Sequence, residues 1–304
     1  MSTHAKGIAI TVAGVLVLTP ESLLIRLVGA SQWTVLLWRG VFMAVGITFI
    51  FWMGWARGHL LERLSSIGSL GIVAAGLFAC DNTLFVTALR NTSVANTLLM
   101  ISTAPMWGAL LSWVILRERV PIRTWLAIAA VMAGVVVIFS GSIGHTRLRG
   151  DLAALGAAIA IATTLVLIRR SRTVNMMPAM ALGGLVTAVV VAPMASPSSP
   201  RGADIGLLVL LGLVVAPVAF GLIALGPRYL PVPEVNLIMM LETVVGPLWV
   251  WLALGDRPGS RTFVGGALVV ATLATHFALA LTQSHPEDEP VPELLRGKES
   301  EVRS

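Results

Sequence analysis

The chain of 304 residues is 56% hydrophobic and 12% charged, with 21 Lys or Arg against 15 Asp or Glu and a net charge of +6. Soluble domains carry about 25% charged residues, so the composition excludes an ordinary soluble fold. The basic residues lie between apolar runs rather than on one face, which excludes a nucleic-acid surface, and Cys80, the single cysteine, excludes an intramolecular disulfide.

Ten apolar runs reach the roughly 20 residues a helix needs to cross hydrocarbon. They cover about 7–26, 34–54, 67–88, 94–116, 122–141, 152–168, 176–195, 204–225, 234–254 and 262–282. The chain is therefore expected to be an all-α membrane protein with ten transmembrane helices. The first run follows Lys6 as a signal peptide would, but it has no small-x-small cleavage site and nine runs come after it. It reads as a retained helix.

Ionisable side chains in lipid cost on the order of 2.5–3.5 kcal/mol on insertion scales, so those inside the runs mark candidate sites. Glu21 in the first run and Arg39 in the second lie at similar depth, five or six residues from the same-side ends. An ion pair would neutralise both and fix the two helices. Alternatively, Arg39 receives a substrate carboxylate and Glu21 competes for it, as an outer gate. Arg26 is placed to snorkel to the interface. In the third run Asp81 lies roughly 12 Å deep at 1.5 Å per residue. Asn82, its neighbour, points about 100° away on the helix and need not share its role.

Asn96 and Trp107 follow in the fourth run, Asn236 and Glu242 in the ninth, and His276 in the tenth. Glu242 stands near the centre of its run, beside Met239 and Met240. A carboxylate there must face a water-filled cavity, pair with a cation or hold a proton, and the methionines would supply an adaptable wall. Trp33, Trp52, Trp55 and Trp125 are interface anchors, whereas Trp38, Trp107 and Trp249 lie deeper and are candidate cavity walls. Pro20, Pro105, Pro217 and Pro247 inside runs free backbone carbonyls and suit bent helices.

The second half repeats the first. Residues 90–133 lie on 228–271 with a constant shift of 138, and a second match shifted by 143 lays Gly7 on Gly150 and Leu24-Ile25-Arg26 on Leu167-Ile168-Arg169. Glu118 meets Asp256 and Trp113 meets Trp251. Five runs per copy is an odd number, so the copies enter the membrane in opposite senses, as in inverted-repeat carriers. The expected domains are repeat 1 over 7–141, repeat 2 over 150–282 and a disordered cytoplasmic tail over 283–304. With the N-terminus inside, basic residues divide 13 against 7 in favour of the inner side, or 10 against 7 without the tail. That bias puts both termini in the cytoplasm.

Catalytic patterns are missing. There is no GxGD aspartyl motif, no Gly-x-Ser-x-Gly frame, no P-loop and no His/Cys cluster with metal spacing. No enzyme activity and no cofactor are expected.

The pattern Arg90 to Asn96, then Ala104-Pro105, then Trp113 to Arg119 resembles the EamA domain of the drug/metabolite transporter superfamily. The second copy reads Met240-Leu241-Glu242-Thr243 and Leu254-Gly255-Asp256-Arg257, with Thr243 where the family often has proline and Asp256 where it has glutamate. Arg117 replaces the glycine of the first copy. The resemblance spans about 7–282 and implies ten helices in two inverted five-helix repeats. It also implies alternating access for a small metabolite, amino-acid-like or related, across a bacterial-type inner membrane, with export favoured and coupling to protons or another gradient. Glu21 resembles in position the first-helix glutamate of small multidrug-resistance relatives, although its surroundings differ. On this reading the partners are the substrate, membrane lipids and protons, with the chain a monomer or homodimer. A multidrug or organic-cation antiporter is the runner-up, and a non-transporting receptor or scaffold is the reading from another class.

Overall fold

The structure is a computed structural model that describes residues 3–54, 68–92, 94–140, 148–171, 177–255 and 259–283. The 141–147 boundary, the tail from 284, Trp55, Asp256 and the side chains of Arg26, Arg90 and Pro247 lie outside that description. Among the described residues, ten helices are long and apolar enough to cross a membrane. We label them α1 (Thr3–Ile25), α2 (Gln32–Ile50), α3 (Gly68–Ala88), α4 (Asn96–Leu116) and α5 (Ile122–Phe139). The second set is α6 (Leu148–Arg170), α7 (Met177–Met194), α8 (Ala203–Tyr229), α9 (Val232–Ala253) and α10 (Ser260–Thr282). No strand occurs among the described residues. The face where α1 begins is called the N-terminal face below, and the other the opposite face.

Several spans are broken, in α1 and α4 beside a proline, and hydroxyl groups take up carbonyls at each break. Pro20 has no N–H to give the Leu16 carbonyl, so α1 divides into Thr3–Leu18 and Glu21–Leu27. The Thr19 hydroxyl donates to that carbonyl instead, at 2.8 Å. In α4 the break at Ser102-Thr103 precedes Pro105, and the two hydroxyls bond the Leu99 and Met100 carbonyls at 2.7 and 2.6 Å. The shift of 138 carries Ser102 to Met240, where α9 also breaks, into Val232–Met239 and Leu241–Leu254. Here the Thr243 hydroxyl satisfies the Met240 carbonyl at 2.7 Å. Carbonyls in lipid find a donor inside the protein, as the medium demands.

The inverted repeat is visible in the packing. A Cβ on Gly7 would lie 2.6 Å from Tyr229 Cβ and 2.8 Å from Leu230 Cγ, so α1 crosses closely over the α8–α9 turn. A Cβ on Gly150 would lie 2.7 Å from the Asn91 and Thr92 backbone, at the α3–α4 turn. The shift of 143 carries Gly7 to Gly150, and the shift of 138 carries Asn91-Thr92 to Tyr229-Leu230. The same contact is therefore made twice, once by each copy. Equivalent helices cross each other at glycines as well, α2 on α7 at Gly40 and Gly184, α5 on α10 at Gly134 and Gly265. Small residues let backbones approach where lipid supplies no hydrophobic drive between helices.

Helices α4 and α9 end alike. Gly255 closes α9 in the left-handed conformation at φ 77°, with its N–H on the Trp251 carbonyl. Arg117, its equivalent in the first copy, holds φ 56° and is the only non-glycine with positive φ among the described residues. A side chain there costs about 1–2 kcal/mol.

Two outcomes follow from these contacts. Gly150→Leu is expected to lower the melting temperature in detergent by the equivalent of about 1–3 kcal/mol, because backbone atoms of the facing turn cannot yield. Arg117→Gly is expected to raise it, by about 1 kcal/mol once the added freedom of the unfolded chain is offset.

Candidate functional site

The break in α1 sets Glu21 in the first turn of the short half-helix, facing α2. Arg39 meets it there, Nη2 to Oε1 at 2.6 Å, with both side chains almost wholly buried. The second amino group, Nη1, donates to Asn82 Oδ1 at 2.6 Å. Asn82 is held in that orientation because its Nδ2 donates to the Phe78 carbonyl one turn back, at 2.8 Å. Below the guanidinium lies the Phe220 ring, 5.6 Å from Cζ to centroid, and Phe220 packs edge-on against Phe78. Residues of α1, α2, α3 and α8 thus converge on one cation.

The α9 span supports the arrangement from the other repeat. Trp249 donates its indole N–H to the Thr19 hydroxyl at 2.9 Å, against the α1 break. Glu242 stands in the first turn of the second half of α9, directly after the Met240 break. A half-helix N-terminus exposes unpaired N–H groups and favours negative charge beside it. Glu242 and Asp81 both lie within electrostatic reach of Glu21 and Arg39. Neither makes an ion pair or hydrogen bond among the described residues, and both are partly exposed. The site therefore holds three carboxylates and one guanidinium, of which only Glu21 and Arg39 are joined.

The recess left beside Arg39 is lined by Leu36, Met43, Phe78, Asn82 and Thr187 with Gly40 and Gly184. It has room for about one water molecule. A larger groove, lined by Val45, Phe49, Trp52 and Leu185, lies on the exposed apolar side of α2 and α7. It is surface for lipid rather than part of the polar site.

Other candidate residues lie apart from this centre. Trp38 turns its N–H outward to the Pro197 carbonyl at 3.1 Å and stacks on Phe42, so it braces the Ser196–Pro200 loop at the opposite face. Trp107 donates to Thr103 at 3.2 Å and packs with Ala104, Ala158, Ile161 and Met239, between α4, α6 and α9. Asn236 donates to the Ala104 carbonyl at 3.4 Å, packed on Gly108. Asn96 donates to Thr92 at 3.3 Å and reaches Asp151 at 3.5 Å, joining α4 to α6.

Sequence reasoning passed over Thr19, Phe220 and Glu234. Glu234 is 2% exposed and binds His4 at 2.8 Å. Arg169 reads as a loop charge but is buried, paired with Glu118 at 2.8 Å and donating to the Pro227 and Leu230 carbonyls. The repeat held the signal for this last pair, since it matches Glu118 with an acid and Arg169 with an arginine.

The sequence profile of the EamA-like transporter family matches residues 5–140 and 148–277, one match per repeat. The chain belongs to the EamA-like transporter family. It is 27% identical over 214 residues to "Uncharacterized transporter YwfM" of Bacillus subtilis (strain 168), covering 67% of this chain and 71% of that protein. A crystal structure of a protein 20% identical in sequence superposes with a TM-score of 0.80, covering 93% of this chain and all of that one. The fold is thus shared with a solved structure over almost the whole chain. Membership of the EamA-like transporter family makes the chain a multi-pass membrane transporter.

Breaking the central pair should be costly. Arg39→Gln leaves Glu21 as a buried charge without its cation and is expected to destabilise by about 3–5 kcal/mol. The double variant Glu21→Gln with Arg39→Gln should recover most of that loss. Melting curves of the three proteins in one detergent check both statements.

Proposed function

We propose that this protein moves a small amino-acid-like or related metabolite across a bacterial-type inner membrane by alternating access. Export is the direction, both termini lie in the cytoplasm, and a proton gradient drives the cycle. The observation that carries this reading is the pair of unpartnered carboxylates, Asp81 and Glu242, beside the Glu21–Arg39 pair at the α9 break. An acid inside the spans that is partly exposed and unpaired can take up a proton or an ammonium group in turn, which is what exchange of substrate for protons requires. The orientation rests on the 13-to-7 excess of basic residues on the N-terminal side.

A specific observation favours the organic-cation antiporter as second reading. Arg39 is already paired with Glu21 and held by Asn82, so the remaining ionisable groups of the site are acids. A substrate without a carboxylate would fit beside them. The readings separate on whether transported compounds carry an acid group.

Glu242→Gln is the discriminating variant. In proteoliposomes with an imposed proton gradient, the wild type is expected to move metabolites of one class. The variant should lose at least about tenfold in rate and lose the dependence on the gradient, with an unchanged melting temperature. Unchanged transport with unchanged pH dependence would remove Glu242 from the site.

A further inference from the structure

Two seams join the repeats lengthwise, and the inverted symmetry makes them equivalent. Helix α4 lies along α6, and α9 lies along α1. The α4–α6 seam is fastened at both ends. At the opposite face Thr92 donates to Asp151 at 2.7 Å, with Asn96 beside them. At the N-terminal face Arg169 makes a two-oxygen contact with Glu118 through Nε, at 2.9 and 2.8 Å, and donates to two carbonyls of the α8–α9 turn. No proton exchange in the physiological range releases an arginine from these partners.

The α1–α9 seam is fastened at the N-terminal face by different chemistry. His4 Nε2 lies 2.8 Å from Glu234 Oε2, and His276 Nε2 of α10 lies 3.7 Å from Oε1 of the same carboxylate. Glu234 occupies the position equivalent to Asn96 in the other seam, so an acid replaces an amide between the copies. Glu234 and His276 are almost completely buried, and His4 is partly exposed. The His4 ring can donate from Nε2, and its Nδ1 is buried with no hydrogen-bond partner among the described residues.

Other charged groups stand near this end of the packed helices: Lys6 on α1, Glu118 on α4, Arg123 on α5, Arg169 and Arg170 on α6, and Arg228 on α8. Lys6 lies over the Tyr229 ring, and Glu118 and Arg169 hold each other. Among the described residues, the charged or titratable side chains against Glu234 are His4 and His276. Within α9 itself, Glu242 belongs to the second half-helix and to the central site.

We propose that His4, Glu234 and His276 form a proton-binding latch that closes the N-terminal face along the α1–α9 seam, and that this seam opens while α4–α6 stays shut. The inference rests on the alternating-access reading above. The sign follows from the charges. With the histidines protonated, Glu234 has cations on both sides and the closed seam is favoured. With both rings neutral the buried carboxylate has no compensating charge, and the seam loosens.

The test measures distance and needs no substrate. Spin labels go on cysteines at Thr3 and Gln283, which report the latch, and at Arg119 and Arg170, which report the other seam. Both pairs are built in a Cys80→Ser background and read in lipid nanodiscs at about pH 5 and about pH 8, the two sides of the histidine range. The Thr3–Gln283 distance is expected to be short at the acid end and to gain a longer population at the alkaline end. The Arg119–Arg170 distance should stay constant. Glu234→Gln should abolish the pH response, and His4→Gln, which keeps a donor of similar size, should reduce it and serves if the first variant does not fold. A Thr3–Gln283 distance indifferent to pH, or a response that survives Glu234→Gln, overturns the latch. A pH-dependent Arg119–Arg170 distance overturns the choice of seam. Absence of transport in liposomes with the distance response intact would instead count against the transport reading alone.

Discussion

The middle of this protein depends on one buried guanidinium. Arg39 cannot stay charged in an apolar medium without a carboxylate and hydrogen-bond acceptors around it, and each of these comes from a different helix. Glu21 reaches it only because α1 is broken at Pro20, and Asn82 reaches it only because its amide is fixed on α3. Phe220 closes the underside from α8. The pair is thus both an electrostatic necessity and a polar joint between spans that otherwise meet largely through apolar residues.

Around that joint the two repeats are built to the same plan with different materials. Both copies use a glycine to bring their first helix against a turn of the other copy, and both break their fourth helix at the same position. The breaks are stabilised by hydroxyl groups that recover the lost carbonyl bonds, Thr103 in one copy and Thr243 in the other. Glu242 inherits its place from this geometry, since it begins the half-helix that the break creates. A residue at the same depth in an unbroken helix would have no free N–H groups beside it.

The fold was legible because its determinants are periodic and local. Apolar length fixes the spans, and the gapless shift of 138 from Arg90 to Ala133 fixes the repeat. The Glu21–Arg39 pair was legible from equal depth on consecutive helices. What remained hidden depended on contacts between distant segments. Pro20 and Pro105 sit at breaks, but the α9 break falls at Met240 rather than at Pro247, where the proline pattern pointed. Trp38 looks like a cavity wall by depth, yet its N–H needs an acceptor and finds one in the 196–200 loop. Glu234 lies two residues into its span, where a carboxylate reads as interfacial, and only packing shows it to be enclosed.

The unequal copies have an energetic meaning. If the halves were identical, exchanging their conformations would interconvert two states of the same free energy, and the unloaded carrier would rest equally in each. Here α6 has Thr163 where α1 has Pro20, and it runs unbroken as the most buried span. Arg117 bears a backbone cost that Gly255 does not. Such differences do not cancel on exchange, so in the alternating-access cycle proposed above the two exchanged states would differ in free energy and the empty protein would favour one of them.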